Sequence, residues 1–256
     1  CVSALPCCYG SGGRAAPVLV AAFAVGQETS IYPLLTVGFA ALAIALFAMR
    51  EPTGATAARV VVSEPGGSPA VPLAPRIPPR RSFAAATSVI LVYVGAEIGF
   101  ASWLYEFVNL QFAAAAATAI TGAFWAAFSA SRLAAVFAAR RVTPERFIAL
   151  ALAAGLVFVL LLIVRPGVLA IAWIGAVGFG LAVGPIYPNV ITAYSHRYEL
   201  TGKRFGGIAV ASCTGSMTFP WLIGRLLDVG GTVVVPAVTA GLLGASAAAA
   251  WMAFRR

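Results

Sequence analysis

The chain has 256 residues, a formal net charge of +9, 61% hydrophobic residues and only 10% charged ones, against roughly 25% charged in an ordinary soluble domain. So few charges cannot coat a water-facing globule of this length, which excludes the soluble classes. Nucleic-acid binding is excluded as well, because the basic residues sit between apolar runs instead of gathering on one face among polar or aromatic neighbours.

Apolar runs of about twenty residues, the length that carries a helix across roughly 30 Å of hydrocarbon, predict eight spans. They cover residues 4 to 25, 31 to 49, 83 to 107, 112 to 139, 145 to 164, 168 to 194, 205 to 228 and 232 to 254. None shows the two-residue alternation of a membrane barrel strand. The expected fold class is therefore an all-α integral membrane protein, a polytopic helical bundle with the lipid bilayer as its solvent.

The first span opens on Cys1 with no signal peptide, and the reading is of an N-terminally truncated chain. Arg14 stands in a small, apolar stretch from Gly10 to Pro17. Three readings of it stand open: a partner for substrate or carboxylate, a misplaced first span, or a sequence irregularity. Residues 1–49 are read as the last two helices of an N-terminal half. Residues 50–82 hold seven prolines, from Pro52 to Pro79, with Gly66, Gly67 and several arginines. Each proline removes a backbone donor and fixes φ, so this segment reads as a solvated linker, and residues 83–256 as a six-helix C-terminal half.

In the third span Glu97 lies past the midpoint, with apolar residues for more than a turn on each side. A charge at helix centre costs about 2.5–3.5 kcal/mol on insertion scales and so has to face a partner or a watery passage. Glu97 either binds substrate or coupling ion or makes a structural hydrogen bond between helices; if protonated at rest it can serve as a proton-coupling group. Tyr93, four residues earlier, shares its face and is either a second ligand or a packing ring. Trp103 and Tyr105 sit near the far end, where rings anchor a helix at the headgroups; Trp103 alternatively stacks on a sugar.

Basic residues fix the orientation, since cytoplasmic connections carry the excess. The linker has Arg50, Arg59, Arg76, Arg80 and Arg81, the connection near 132 to 146 has Arg132, Arg140, Arg141 and Arg146, the one near 196 to 204 has Arg197, Lys203 and Arg204, and the C-terminus has Arg255 and Arg256. The opposite connections hold only Arg165 and Arg225. Linker and C-terminus are thus expected in the cytoplasm of a multi-pass plasma or inner membrane protein.

In the sixth span, Gly184, Pro185, Pro188 and Asn189 predict a kink able to gate, because proline frees backbone carbonyls that are tolerated only where buried in protein or lining a cavity. Asn189 binds substrate or satisfies the freed backbone. The seventh span offers Gly206, Gly207, Ser212, Thr214, Gly215 and Ser216 as a close-packing face, with a second kink at Pro220. The four cysteines, Cys1, Cys7, Cys8 and Cys213, have neither disulfide nor metal spacing and read as small buried residues. His196, the one histidine, lies in a polar connection. No cofactor or metal is expected, and the chain is read as no enzyme.

A long linker followed by six helices is the arrangement of carriers built from two six-helix halves. The run Tyr93-Val94-Gly95-Ala96-Glu97-Ile98-Gly99-Phe100-Ala101-Ser102-Trp103 resembles the seventh-helix signature of the major facilitator superfamily, in the branch of fucose:proton symporters and sodium-dependent glucose transporter-like proteins. Gly184-Pro185-Ile186-Tyr187-Pro188-Asn189, Leu200-Thr201-Gly202-Lys203 and Pro220-Trp221-Leu222-Ile223-Gly224 resemble its tenth helix, the following connection and its eleventh helix. The resemblance covers helices five to twelve and implies a secondary carrier working by alternating access on a sugar or similar solute, coupled to a proton or sodium ion. It gives Glu97 and Trp103 weight as cavity residues and matches Ser131-Arg132-Leu133 to a basic turn that gates the cytoplasmic side. The chain departs from the family in having Ser131 where Gly is usual and Arg14 where small residues are usual. The acidic residues thought to drive coupling in fucose carriers also belong to the mostly absent N-terminal half. The alternatives are a drug or metabolite exporter of the same fold and a non-transporting membrane receptor or scaffold.

Overall fold

The computed structural model describes residues 80–138 and 142–254. They form seven helices: α1 (Arg80–Asn109), α2 (Ala114–Ala138), α3 (Pro144–Val164), α4 (Leu169–Val183), α5 (Ile186–Ser195), α6 (Gly202–Gly230) and α7 (Val234–Phe254). Among the described residues there is no strand. The spans expected at 4 to 25 and 31 to 49, Arg14 and the linker up to residue 79 lie outside the described residues.

Among the described residues five segments are long and apolar enough to cross a membrane: α1, α2, α3, α7 and the pair α4–α5, which together run from Leu169 to Ser195. Large apolar side chains point outward along them, among them Leu150, Val157 and Leu160 of α3, Ile174 and Leu181 of α4, and Trp251 of α7. In water such a surface is a liability; in lipid it faces its own solvent. The protein is an all-α polytopic membrane protein. The remaining helix, α6, is 29 residues long, but its glycines, serines, threonines and Pro220 keep it below the apolarity of the five.

One boundary differs from the sequence reading. α1 begins at Arg80, so residues 80–82 are helix and not linker. The expected sixth span runs from Leu169 to Ser195 and is broken at Gly184 and Pro185 into α4 and α5, where the two prolines predict the kink.

α1 is the hub, packed along α6 and α7, against α2 on another side, and touching α4 and α5. Gly215 lets α6 come in: a Cβ there would stand 2.1 Å from the Leu91 carbonyl oxygen, a backbone atom that cannot step aside. The packing face of α6 is narrower than its run of small residues suggests. Ile208, Ala211, Gly215 and Ile223 are buried, at intervals of three, four and eight residues that keep to one helical face. Gly206 and Thr214 are exposed, and so is Cys213, which the sequence places among buried residues.

At the end where α1, α3 and α6 begin, Tyr198 donates to Ser82 Oγ at 3.2 Å. Arg197 there pairs with Glu145 of α3 at 3.2 Å and donates to the Phe254 carbonyl of α7 at 3.2 Å. An aromatic cluster fills the centre: the Phe100 and Phe179 centroids are 4.6 Å apart and those of Phe124 and Phe179 6.2 Å, joining α1, α2 and α4.

Candidate functional site

Pro188 has no N–H, so the helical donor due to the carbonyl four residues earlier, on Gly184, does not exist. A carbonyl left bare in a low-dielectric interior costs several kcal/mol by transfer estimates, and the structure supplies a replacement. Nε of Arg132, one helix away on α2, donates to the Gly184 oxygen at 2.8 Å. The approach is possible because residues 180 and 184 carry no side chain. A Cβ on Gly184 would stand 2.2 Å from Ser131 Oγ and 2.6 Å from the Phe128 carbonyl oxygen, and one on Gly180 would stand 2.7 Å from the Phe124 carbonyl oxygen.

The same guanidinium faces Glu97. Its Nη2 is 3.7 Å from Oε1, the Glu97 side chain being 5% and that of Arg132 11% exposed, and its carbon sits 4.2 Å above the Phe128 ring centroid. That ring face gives the cation a second electrostatic partner away from water. The other carboxyl oxygen, Oε2, meets the hydroxyl of Tyr93, which also lies 2.8 Å from the Val183 carbonyl oxygen. Tyr93 is fully buried. The i, i+4 spacing in α1 thus does put phenol and acid together, and the phenol reaches across to the end of α4.

Asn189 is buried on α5, and its Nδ2 donates to the Pro185 carbonyl at 2.8 Å. That oxygen also accepts the Asn189 backbone N–H at 3.3 Å, whereas the carbonyls the two prolines free are those of Leu181 and Gly184, so the bond leaves the freed backbone to other donors. Pro185 and Pro188 make the break, and the structure brings Glu97, Tyr93, Arg132 and the two prolines into one constellation. Trp103 stands apart from it. It lies six residues beyond Glu97, on a different face of α1, and its indole N–H donates to the Pro220 carbonyl of α6 at 2.8 Å.

Arg132 is not in a connection, as its place among the loop cations implies, but inside α2 with its side chain turned into the bundle. Three participants escape a reading of side-chain types: the carbonyls of Val183 and Gly184, and the ring of Phe128. Subtracting four from Pro188 is the signal that finds the Gly184 carbonyl. Tyr187, half-buried on α5, is a fourth, within electrostatic reach of Arg132 and Glu97.

No family model matches the chain. It is similar to sodium-dependent glucose transporter 1 of Danio rerio, 28% identical over 139 residues, which are 53% of this chain and 23% of that protein. The chain thus matches under a quarter of the length of that curated relative.

Proposed function

We propose that the chain is part of a secondary active transporter of the major facilitator type, moving a sugar or similar small solute by alternating access and coupled to a proton or sodium ion. The carrying observation is Glu97, 4% exposed within a membrane-crossing helix and joined by side chains to a broken helix opposite. An acid in that place is costly unless it has partners, and ionisable residues inside membranes mark solute and ion paths. The partial likeness to a sodium-dependent glucose transporter supports the sugar class. In this reading Glu97 and Tyr93 bind ion or solute, with Asn189 beside them at the break. Arg132, Pro185 and Pro188 gate, and Trp103 braces the far end of α1. The linker and C-terminus lie in the cytoplasm of a plasma or inner membrane, and the reading assigns the chain no catalytic step.

The test is counterflow of labelled glucose and fucose by the full-length protein in proteoliposomes, with and without a sodium or proton gradient. Saturable sugar exchange that Glu97→Gln uncouples from the gradient supports the reading. Saturable export of amphiphilic dyes without sugar exchange would replace it with the exporter, and binding without translocation would replace it with the receptor.

A further inference from the structure

A phenol donates one hydrogen bond, yet the Tyr93 hydroxyl meets two acceptors, Glu97 Oε2 and the Val183 carbonyl oxygen. With Glu97 ionised, one of these contacts is bare oxygen against oxygen. With Glu97 neutral, its own O–H donates to Tyr93, Tyr93 donates to Val183, and both contacts become hydrogen bonds. The guanidinium agrees. Arg132 is 2.8 Å from the Gly184 carbonyl but 3.7 Å from Glu97, whereas a closed charge-assisted pair sits at about 2.7–2.9 Å. In this conformation Arg132 hydrogen-bonds the backbone and stands only at loose ion-pair distance from the acid.

The two carbonyls so engaged, 183 and 184, are consecutive and stand where α4 ends and α5 begins. Every link from Glu97 toward α4 therefore ends at the break. We propose that Arg132 is a positioning residue for this break, standing in for the donor that Pro188 lacks, and that Glu97 sets its grip by gaining or losing a proton. The proposal rests on the reading of Glu97 as a coupling group and names the ion as a proton.

The neutral acid leaves the guanidinium on Gly184, and the break is held. Loss of the proton from Glu97 to water creates a carboxylate. Its charge turns the Tyr93 hydroxyl away from Val183 and draws Arg132 off Gly184. Both carbonyls are then bare, and the α4–α5 junction is free to bend; proton uptake reverses each step. The titratable groups in reach are Tyr93 on α1, Arg132 on α2 and Tyr187 on α5, with Cys213 of α6 acting on Tyr187. α4 and α7 carry no titratable side chain.

The experiment needs no solute. Amide hydrogen exchange across residues 181–195 is followed in the full-length protein in phospholipid nanodiscs at acid and alkaline pH, corrected for the intrinsic rate. Infrared spectra of the same samples follow the protonated carboxyl band. The wild type is expected to exchange several-fold faster at alkaline pH as the carboxyl band is lost. Glu97→Gln should stay in the slow form at both, Arg132→Leu should be fast at both, and Arg132→Lys, which restores a donor, should recover the slow acid form. An Arg132→Leu protein that keeps the wild-type response, or a Glu97→Gln protein that still responds, overturns the proposal. The glutamine and lysine variants decide alone if the leucine variant does not fold. A negative result leaves the solute-carrier reading standing, and absent sugar counterflow with an intact response removes that reading while keeping the switch.

Discussion

The indole N–H of Trp103 donates to the carbonyl oxygen of Pro220 at 2.8 Å, and its ring occupies the place a side chain on Gly224 would take, 2.5 Å from the Cβ position. This pair fastens the far half of α1 to α6. Trp103→Phe keeps most of the ring and loses the bond, which for interhelical hydrogen bonds in membranes is worth about 0.6–1.7 kcal/mol. The expected outcome is a lower thermal midpoint in detergent and, under the proposed function, unchanged sugar affinity. Lost affinity at unchanged stability would return Trp103 to the solute.

Removing a hydroxyl should have opposite signs at two tyrosines. Tyr93→Phe breaks the bridge from Glu97 to Val183 and should destabilise by about 1–3 kcal/mol, the cost of leaving buried partners unmet. The hydroxyl of Tyr194 is buried with no hydrogen-bond partner among the described residues, so Tyr194→Phe removes a group unsatisfied there and should stabilise by about 1 kcal/mol. Paired unfolding curves in the same detergent check both.

Arg132→Leu bares the Gly184 carbonyl, and a loss of about 1–3 kcal/mol is expected. Pro188→Ala restores the helical N–H at the right position, so the double variant Arg132→Leu/Pro188→Ala should recover much of that loss. A non-additivity near zero in the double-mutant cycle would separate Arg132 from the break.

Pro188→Ala alone should straighten the α4–α5 junction, since its new N–H competes with Arg132 for one carbonyl. The measurable outcome is slower amide exchange over residues 184–195 together with, under the proposed function, slower solute exchange.

The Arg197 clamp is expected to matter little for stability. Its side chain and that of Glu145 are 28% and 30% exposed, and pairs this open are worth about 0–1 kcal/mol. Arg197→Gln should therefore shift the thermal midpoint only slightly, and less at high salt in the wild type as screening weakens the pair.

The helices of the described region were legible because apolar runs of membrane length are hard to disguise, and Glu97 with Tyr93 because four residues make one helical turn. The start of α1 at Arg80 is not legible in the sequence, since Pro79 can as well precede a helix as interrupt one. Arg132 was hidden for a different reason. A cation near the end of an apolar run looks the same whether it reaches out to headgroups or in to a partner, and only the approach of α2 to α4 across Gly180 and Gly184 decides. The exposed face of α6 was likewise invisible, because small residues along a helix do not say which of them meets a neighbour.

α6 stands out from the five membrane-crossing segments by its weaker apolarity, although it lies against the hub helix along much of its length. A segment that hydrocarbon favours this little has a small free-energy incentive to leave the translocation channel sideways on its own account. Its biogenesis should depend on company: α7 follows after only residues 231–233, so the two can enter lipid as a hairpin, with α1 already in place to receive Gly215. A nascent chain stopped after Gly230 should then lodge α6 incompletely, and glycosylation-site mapping of such stalled chains would read that directly.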